Sequence, residues 1–108
     1  MFIMSSDSAE SDGELQAKLI AHRNKLLGLW AAERMGMIGE TAVEYALGLL
    51  ATKASKARDD EALVRKVCED MGARGYPIDT AAVSRQLAAC ESAARADIPQ
   101  ALNTPLHR

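Results

Sequence analysis

Apolar positions recur at helical spacing along nearly the whole chain. From Glu14 to about Met35, Leu15, Leu19, Leu26 and Trp30 form a stripe that Ile20 and Leu27 widen, while Lys18, Arg23, Lys25 and Arg34 fall mostly off it. No proline interrupts this stretch, and the pattern predicts a long amphipathic helix. Gly28 stands inside it at a propensity cost of about 1 kcal/mol. An interior glycine beside Trp30 points to a close helix contact at that level. Gly36 and Gly39 bracket Met37 and Ile38 and read as a helix stop and a short turn.

A second helix is expected from about Glu40 to Thr52, with Ala42, Tyr45, Ala46, Leu49 and Leu50 on its apolar face. Lys53, Lys56 and Arg58 follow, and then Asp59, Asp60 and Glu61. Cations at a helix end and anions at a helix start both complement the backbone dipoles, so this reversal of charge marks a loop. A third helix spans Asp60 to Ala73 on the stripe Leu63, Val64, Val67, Cys68 and Met71. Gly72, Gly75 and Tyr76-Pro77 end it. Asp79 is the expected N-cap of a fourth helix carrying Val83, Leu87, Cys90 and Ala94, which Pro99 should close.

Four amphipathic helices with short connections imply an all-α protein, a four-helix bundle with a long first helix. The expected organisation is an acidic flexible arm over residues 1–13, a helical bundle domain over 14–98 and a flexible tail over 99–108. The arm reading rests on Asp7, Glu10 and Asp12 among serines, with no lysine or arginine nearby.

Composition narrows the function. The 108 residues suffice for one domain, and alanine and leucine dominate while β-branched residues are sparse. A formal net charge of −2 lacks the basic field that phosphates require, which argues against nucleic acid as the main partner. No apolar run approaches the ~20 residues needed to cross a bilayer, and the N-terminus has no secretory signal pattern. Two cysteines without a CxxC fit a reduced cytoplasmic setting.

No catalytic or metal constellation emerges, so the chain is not expected to be an enzyme. His22 and His107 have no ligand at i+3 or i+4 suited to a metal. Cys68 and Cys90 lie on apolar stripes as small buried hydrophobes, with a disulfide between neighbouring helices as the minor alternative. Glu40 with Glu44, and Asp59 with Asp60, match solvated faces and helix-start charges better than a buried acid pair. Gly36, Gly39 and Gly48 lack the lysine and spacing of a phosphate loop, and no serine sits in a GxSxG setting.

The most distinctive stretch is RNKLLGLWAAE, Arg23 to Glu33. One reading makes Trp30 the anchor of the core. The other has Arg23, Asn24 and Lys25 face a partner while Leu26 and Trp30 hold the helix in place. RNKLLGLWAAERMGMIG followed by YALGLL resembles the central pattern of the zeta subunit family of alphaproteobacterial ATP synthase, long described as a domain of unknown function. The similarity continues more weakly through RDDEALVRKVCEDM and SRQLAACESAARADI and covers roughly residues 14–98.

That resemblance implies a four-helix bundle without enzymatic activity of its own, acting on the catalytic-head subunits alpha, beta and gamma of ATP synthase. In the family, an N-terminal segment enters a catalytic interface and blocks ATP hydrolysis. It also implies a cytoplasmic location, peripheral to the inner membrane through ATP synthase. No cofactor is implied, although some members bind purine nucleotides weakly.

The chain departs from the family in its N-terminal arm. The family's inhibitory arm carries a Phe-Asp-Asp-Arg-Glu type motif and then a Lys-Phe-Ala-x-Asp type motif. Aligned backward from Arg23, the second falls on Ser8-Ala9-Glu10-Ser11-Asp12, where Asp12, and Glu14 just beyond, are matched and the phenylalanine is Ala9. The first would fall before Met1. KASKAR, from Lys53, stands where the family usually carries acidic residues. The expected partner-binding residues are therefore Asp12, Glu14, Arg23, Asn24, Lys25 and Trp30, and the expected inhibition is weak. The alternative is a diverged helical interaction module with another protein partner, or a weak purine-nucleotide binder.

Overall fold

The computed structural model describes the backbone of residues 2–103 and the side chains of residues 13–97. Every regular element among them is helical: α1 (Phe2–Arg34), α2 (Gly39–Leu50), α3 (Lys53–Lys56), α4 (Asp60–Ala73) and α5 (Thr80–Asn103). α1, α2, α4 and α5 make the four-helix bundle, and α3 is a single turn between α2 and α4. At about 1.5 Å per residue, the 33 residues of α1 span roughly 50 Å, and its packing is mainly against α2 and α5. Residues 2–13 of the expected arm fall within the bounds of α1, but the arm's side chains up to Asp12, and all those of the expected tail, lie outside the described residues.

The helix ends follow one design repeated three times. At each stop an amide bonds back five residues: Met37 to the Ala32 carbonyl at 2.9 Å, Asp59 to Ala54 at 2.9 Å and Tyr76 to Met71 at 2.8 Å. This closure places the preceding residue in the left-handed region, with φ of 84° at Gly36, 57° at Arg58 and 90° at Gly75. Two of the three are glycines, as the geometry prefers. Arg58 is the exception, and a side chain there costs roughly 1–2 kcal/mol.

The helix starts are equally specific. Asp59 Oδ1 accepts the Ala62 amide at 3.1 Å to open α4, and Asp79 Oδ1 accepts the Ala82 amide at 2.9 Å to open α5. The expected Thr52 end of the second helix is displaced to Leu50. Thr52 serves instead as the N-cap of α3, where its Oγ1 accepts the Ser55 amide at 3.2 Å and donates to the Leu49 carbonyl at 2.7 Å. A four-residue helix is too short to leave a periodic signature. α5 continues to Asn103, past the Pro99 expected to close it. A proline removes one donor and crowds one carbonyl, and this close to a helix end that is not sufficient to terminate the helix.

The core lies between α1, α2, α4 and α5, where Leu27, Leu49, Leu63, Val67 and Val83 are almost wholly buried. Gly28 sets the α1–α2 distance. A Cβ on it would stand 2.8 Å from the Ala46 Cα and 3.0 Å from the Ala46 Cβ. The obstruction is backbone, so the helices would have to move apart.

This crossing generates a paired prediction. Gly28→Ala gains about 1 kcal/mol of helix propensity but meets overpacking worth about 1–3 kcal/mol, so it should lower stability. Gly48→Ala, on exposed α2 surface with nothing within 4 Å, should raise stability by about 0.5–1 kcal/mol. Urea denaturation followed by circular dichroism reads both signs, and a stabilised Gly28→Ala protein would show that the crossing is not tight.

Candidate docking surface

The residues of the RNKLLGLW stretch separate by helical phase into an inward and an outward set. Arg23 and Asn24 belong to the inward set, with exposures of 5% and 1%. The Arg23 guanidinium forks onto Asp60 of α4, at 2.8 Å to Oδ1 and 3.3 Å to Oδ2, and donates to Glu91 Oε1 of α5 at 3.2 Å. Its Nε donates to the Asn24 Oδ1 at 2.9 Å, and Asn24 Nδ2 donates to Ser55 Oγ of α3 at 3.0 Å. Two adjacent residues of α1 thereby tie it to three other helices. No buried side-chain polar atom among the described residues lacks a partner.

The electrostatics follow from this arrangement. Glu91 also accepts from Arg95 at 2.9 Å, and the hydrogen bonds from Arg95 and then Arg23 hold its carboxyl below the ordinary 4.5. On the other side of the bundle, Tyr45 donates to Asp70 Oδ2 at 2.8 Å, and Lys66 donates to Asp70 Oδ1 at 3.0 Å. Burial, reinforced by Asp70, pushes the Tyr45 phenol well above its usual value. His22 Nε2 lies 2.9 Å from Asp97 Oδ2, a partner 75 residues away that no local spacing could reveal. Burial raises both thiols, with the Asp79 charge adding to the effect at Cys68, and both cysteines are free. Protonated thiols in these settings are poor nucleophiles. No group of three metal-binding side chains occurs among the described residues.

The outward set shapes a surface. Trp30 packs its inner edge on the core, and the Arg34 guanidinium stands over its ring, 5.1 Å from the centroid. Its other side lines an open groove of about 560 Å³ with Leu26, Leu29, Ile38, Ala89 and Ala93. Ile38 is 81% exposed there, a large apolar side chain standing in solvent. Trp30 thus packs on the core on one side and lines the groove on the other. Lys25 is half-buried and Glu14 exposed, while Asp12 lies outside the described side chains. Of the six expected partner-binding residues, Arg23 and Asn24 have their polar groups engaged within the fold. Their partners, Asp60 and Glu91 for Arg23 and Ser55 for Asn24, are supplied from helices distant in sequence.

Two outcomes follow from the buried node. Asn24→Ala strands the Ser55 hydroxyl and the Arg23 Nε and should cost about 1–3 kcal/mol, read from the urea midpoint. A change below about 0.5 kcal/mol would mean the node does not hold the helices. Because the folded value of Glu91 is depressed, its contribution is fully present above about pH 4.5 and is lost as pH falls through the folded value. Glu91→Gln should therefore flatten the acid limb of the stability profile relative to the parent, and an unchanged limb would remove Glu91 from the account.

The comparisons with known proteins bear on the family. The family model described as ATPase inhibitor subunit zeta matches residues 7–97. No curated protein and no solved structure matches the chain. The matched span takes in α2, α3 and α4 entirely, the Arg23–Asn24 node and the Trp30 groove. With most of its length covered, the chain belongs to the ATPase inhibitor subunit zeta family.

Proposed function

We propose that this chain is a regulatory, non-catalytic subunit that docks on the catalytic head of ATP synthase, against its alpha, beta and gamma subunits, and restrains ATP hydrolysis only weakly. Membership of the zeta family across residues 7–97 is the observation that carries the reading. The bundle over residues 14–98 is the docking body, and the segment 1–13 is the arm that approaches the catalytic interface. Asp12, Glu14, Lys25 and Trp30 meet the partner, while Arg23 and Asn24 act from inside by fixing the helix that carries them.

The weakness of inhibition follows from the arm's chemistry. A helix that plugs a carboxylate-rich cleft needs apolar anchors and basic side chains. Residues 1–14 offer acids and serines with no lysine or arginine, and Ala9 stands where the motif has phenylalanine. Like charges in such a cleft repel, and Ala9 fills far less of an apolar pocket than phenylalanine would. The protein then sits in the cytoplasm and reaches the inner membrane through the enzyme it binds. No helix among the described residues is long and apolar enough to cross a membrane itself. A second reading, a diverged interaction module with another partner, draws its support from the basic Lys53–Arg58 surface.

Titrating purified catalytic head with the full chain tests the first reading. Hydrolysis should fall only partly at micromolar chain, Ala9→Phe should deepen the effect, and a pull-down should recover alpha and beta subunits. Complete inhibition by the parent chain would overturn the account of the arm. Failure to recover either subunit would overturn the partner.

A further inference from the structure

A second cleft opens on the other side of α1. Its floor is Ala17, Ile20 and Ala21 of α1 with Leu50 of α2, and Lys56 and Arg58 stand on its rim beside the buried Ser55. At about 100° per residue, residues 17, 20 and 21 face roughly opposite to Leu26, Leu29 and Trp30, so the two depressions are separate surfaces. The cleft holds about 240 Å³.

Among the described residues, neither Lys56 nor Arg58 on this rim has a carboxylate partner, nor does Lys53, which starts the same short helix as Lys56. The acids that follow in sequence are turned elsewhere. Asp59 caps α4, Asp60 holds Arg23, and Glu61 lines a different depression with Arg65 and Thr80. Glu14 and Lys18, one turn apart on α1, carry opposite charges and leave the balance unchanged.

The position of Arg58 is the second observation. Three helix ends share one hydrogen-bonded closure, and the left-handed residue is glycine in two of them. At the third an arginine occupies φ 57°. A strained residue retained where glycine would relieve the strain directs attention to what its side chain does.

We propose that the cleft between α1 and α3 is a docking site for an acidic amphipathic helix of a partner protein. Apolar side chains of that helix would seat on Ile20 and Leu50, and its carboxylates would meet Lys53, Lys56 and Arg58. The apolar floor selects such a helix over a bare anion, because a phosphate has nothing to bury there. The cationic rim selects acidic sequences and supplies salt-sensitive steering. This inference stands apart from the ATP synthase reading and does not depend on the N-terminal arm.

The test uses the isotope-labelled full chain and a synthetic amidated peptide of ~18 residues, leucines on one helical face and glutamates on the rest. NMR shifts should saturate and cluster at Ala17–Ala21, Leu50 and Lys53–Arg58, and the affinity should fall severalfold as sodium chloride is raised. Lys56→Glu combined with Arg58→Glu should abolish binding. Arg58→Gly should weaken it severalfold while raising Tm by a few degrees, so loss of binding cannot be ascribed to unfolding. Equal binding of a control peptide with lysines in place of the glutamates, the same shifts from inorganic phosphate alone, shifts centred on Trp30, or no shifts at all would each overturn the proposal.

Discussion

A guanidinium buried at mid-helix is the constraint around which this bundle closes. Arg23 cannot be left alone in the interior, because an unpaired buried charge would outweigh much of what a domain of this size gains by folding. The cost is offset only when α4 brings Asp60 and α5 brings Glu91 to it, and when Asn24 takes up the remaining Nε–H. A bundle of alanine and leucine stripes could slide or rotate with little penalty. The requirement that one guanidinium find two carboxylates from different helices removes most of those alternatives. The node therefore contributes to the uniqueness of the arrangement as well as to its stability.

Around that node two surfaces differ in chemistry. The apolar groove beside Trp30 and the cationic cleft beside α3 lie on opposite flanks of α1, with the core and node between them. Such a layout lets one rigid helix present two chemically different faces without either face having to move. The cleft touches the node at one point, Ser55, which lines the cleft and accepts from Asn24.

Much of the fold was legible because its signals are local. Asp60–Ala73 agrees end to end with its apolar stripe, and Asp79 caps α5 as its position suggested. Gly28 was readable as a close crossing because few other roles repay an interior glycine. Information hidden from a linear reading was of two kinds. α3 is shorter than one helical repeat, so it leaves no periodicity. The partners of Arg23, Asn24 and His22 come from 31 to 75 residues away, and no spacing rule reaches that far. That is why one reading has Arg23, Asn24 and Lys25 face a partner, whereas Arg23 and Asn24 are interior. The family resemblance was carried by the same stretch, because the residues that hold the bundle together also make its sequence recognisable.

The lone indole has a consequence for how the molecule can be observed. Trp30 is half-covered by protein, flanked by a cation and otherwise open to the groove. Anything that settles into the groove must displace water from its ring, whereas an occupant of the α3 cleft leaves it untouched. The emission wavelength of the protein is thus a built-in gauge that discriminates between its two flanks, with no label attached.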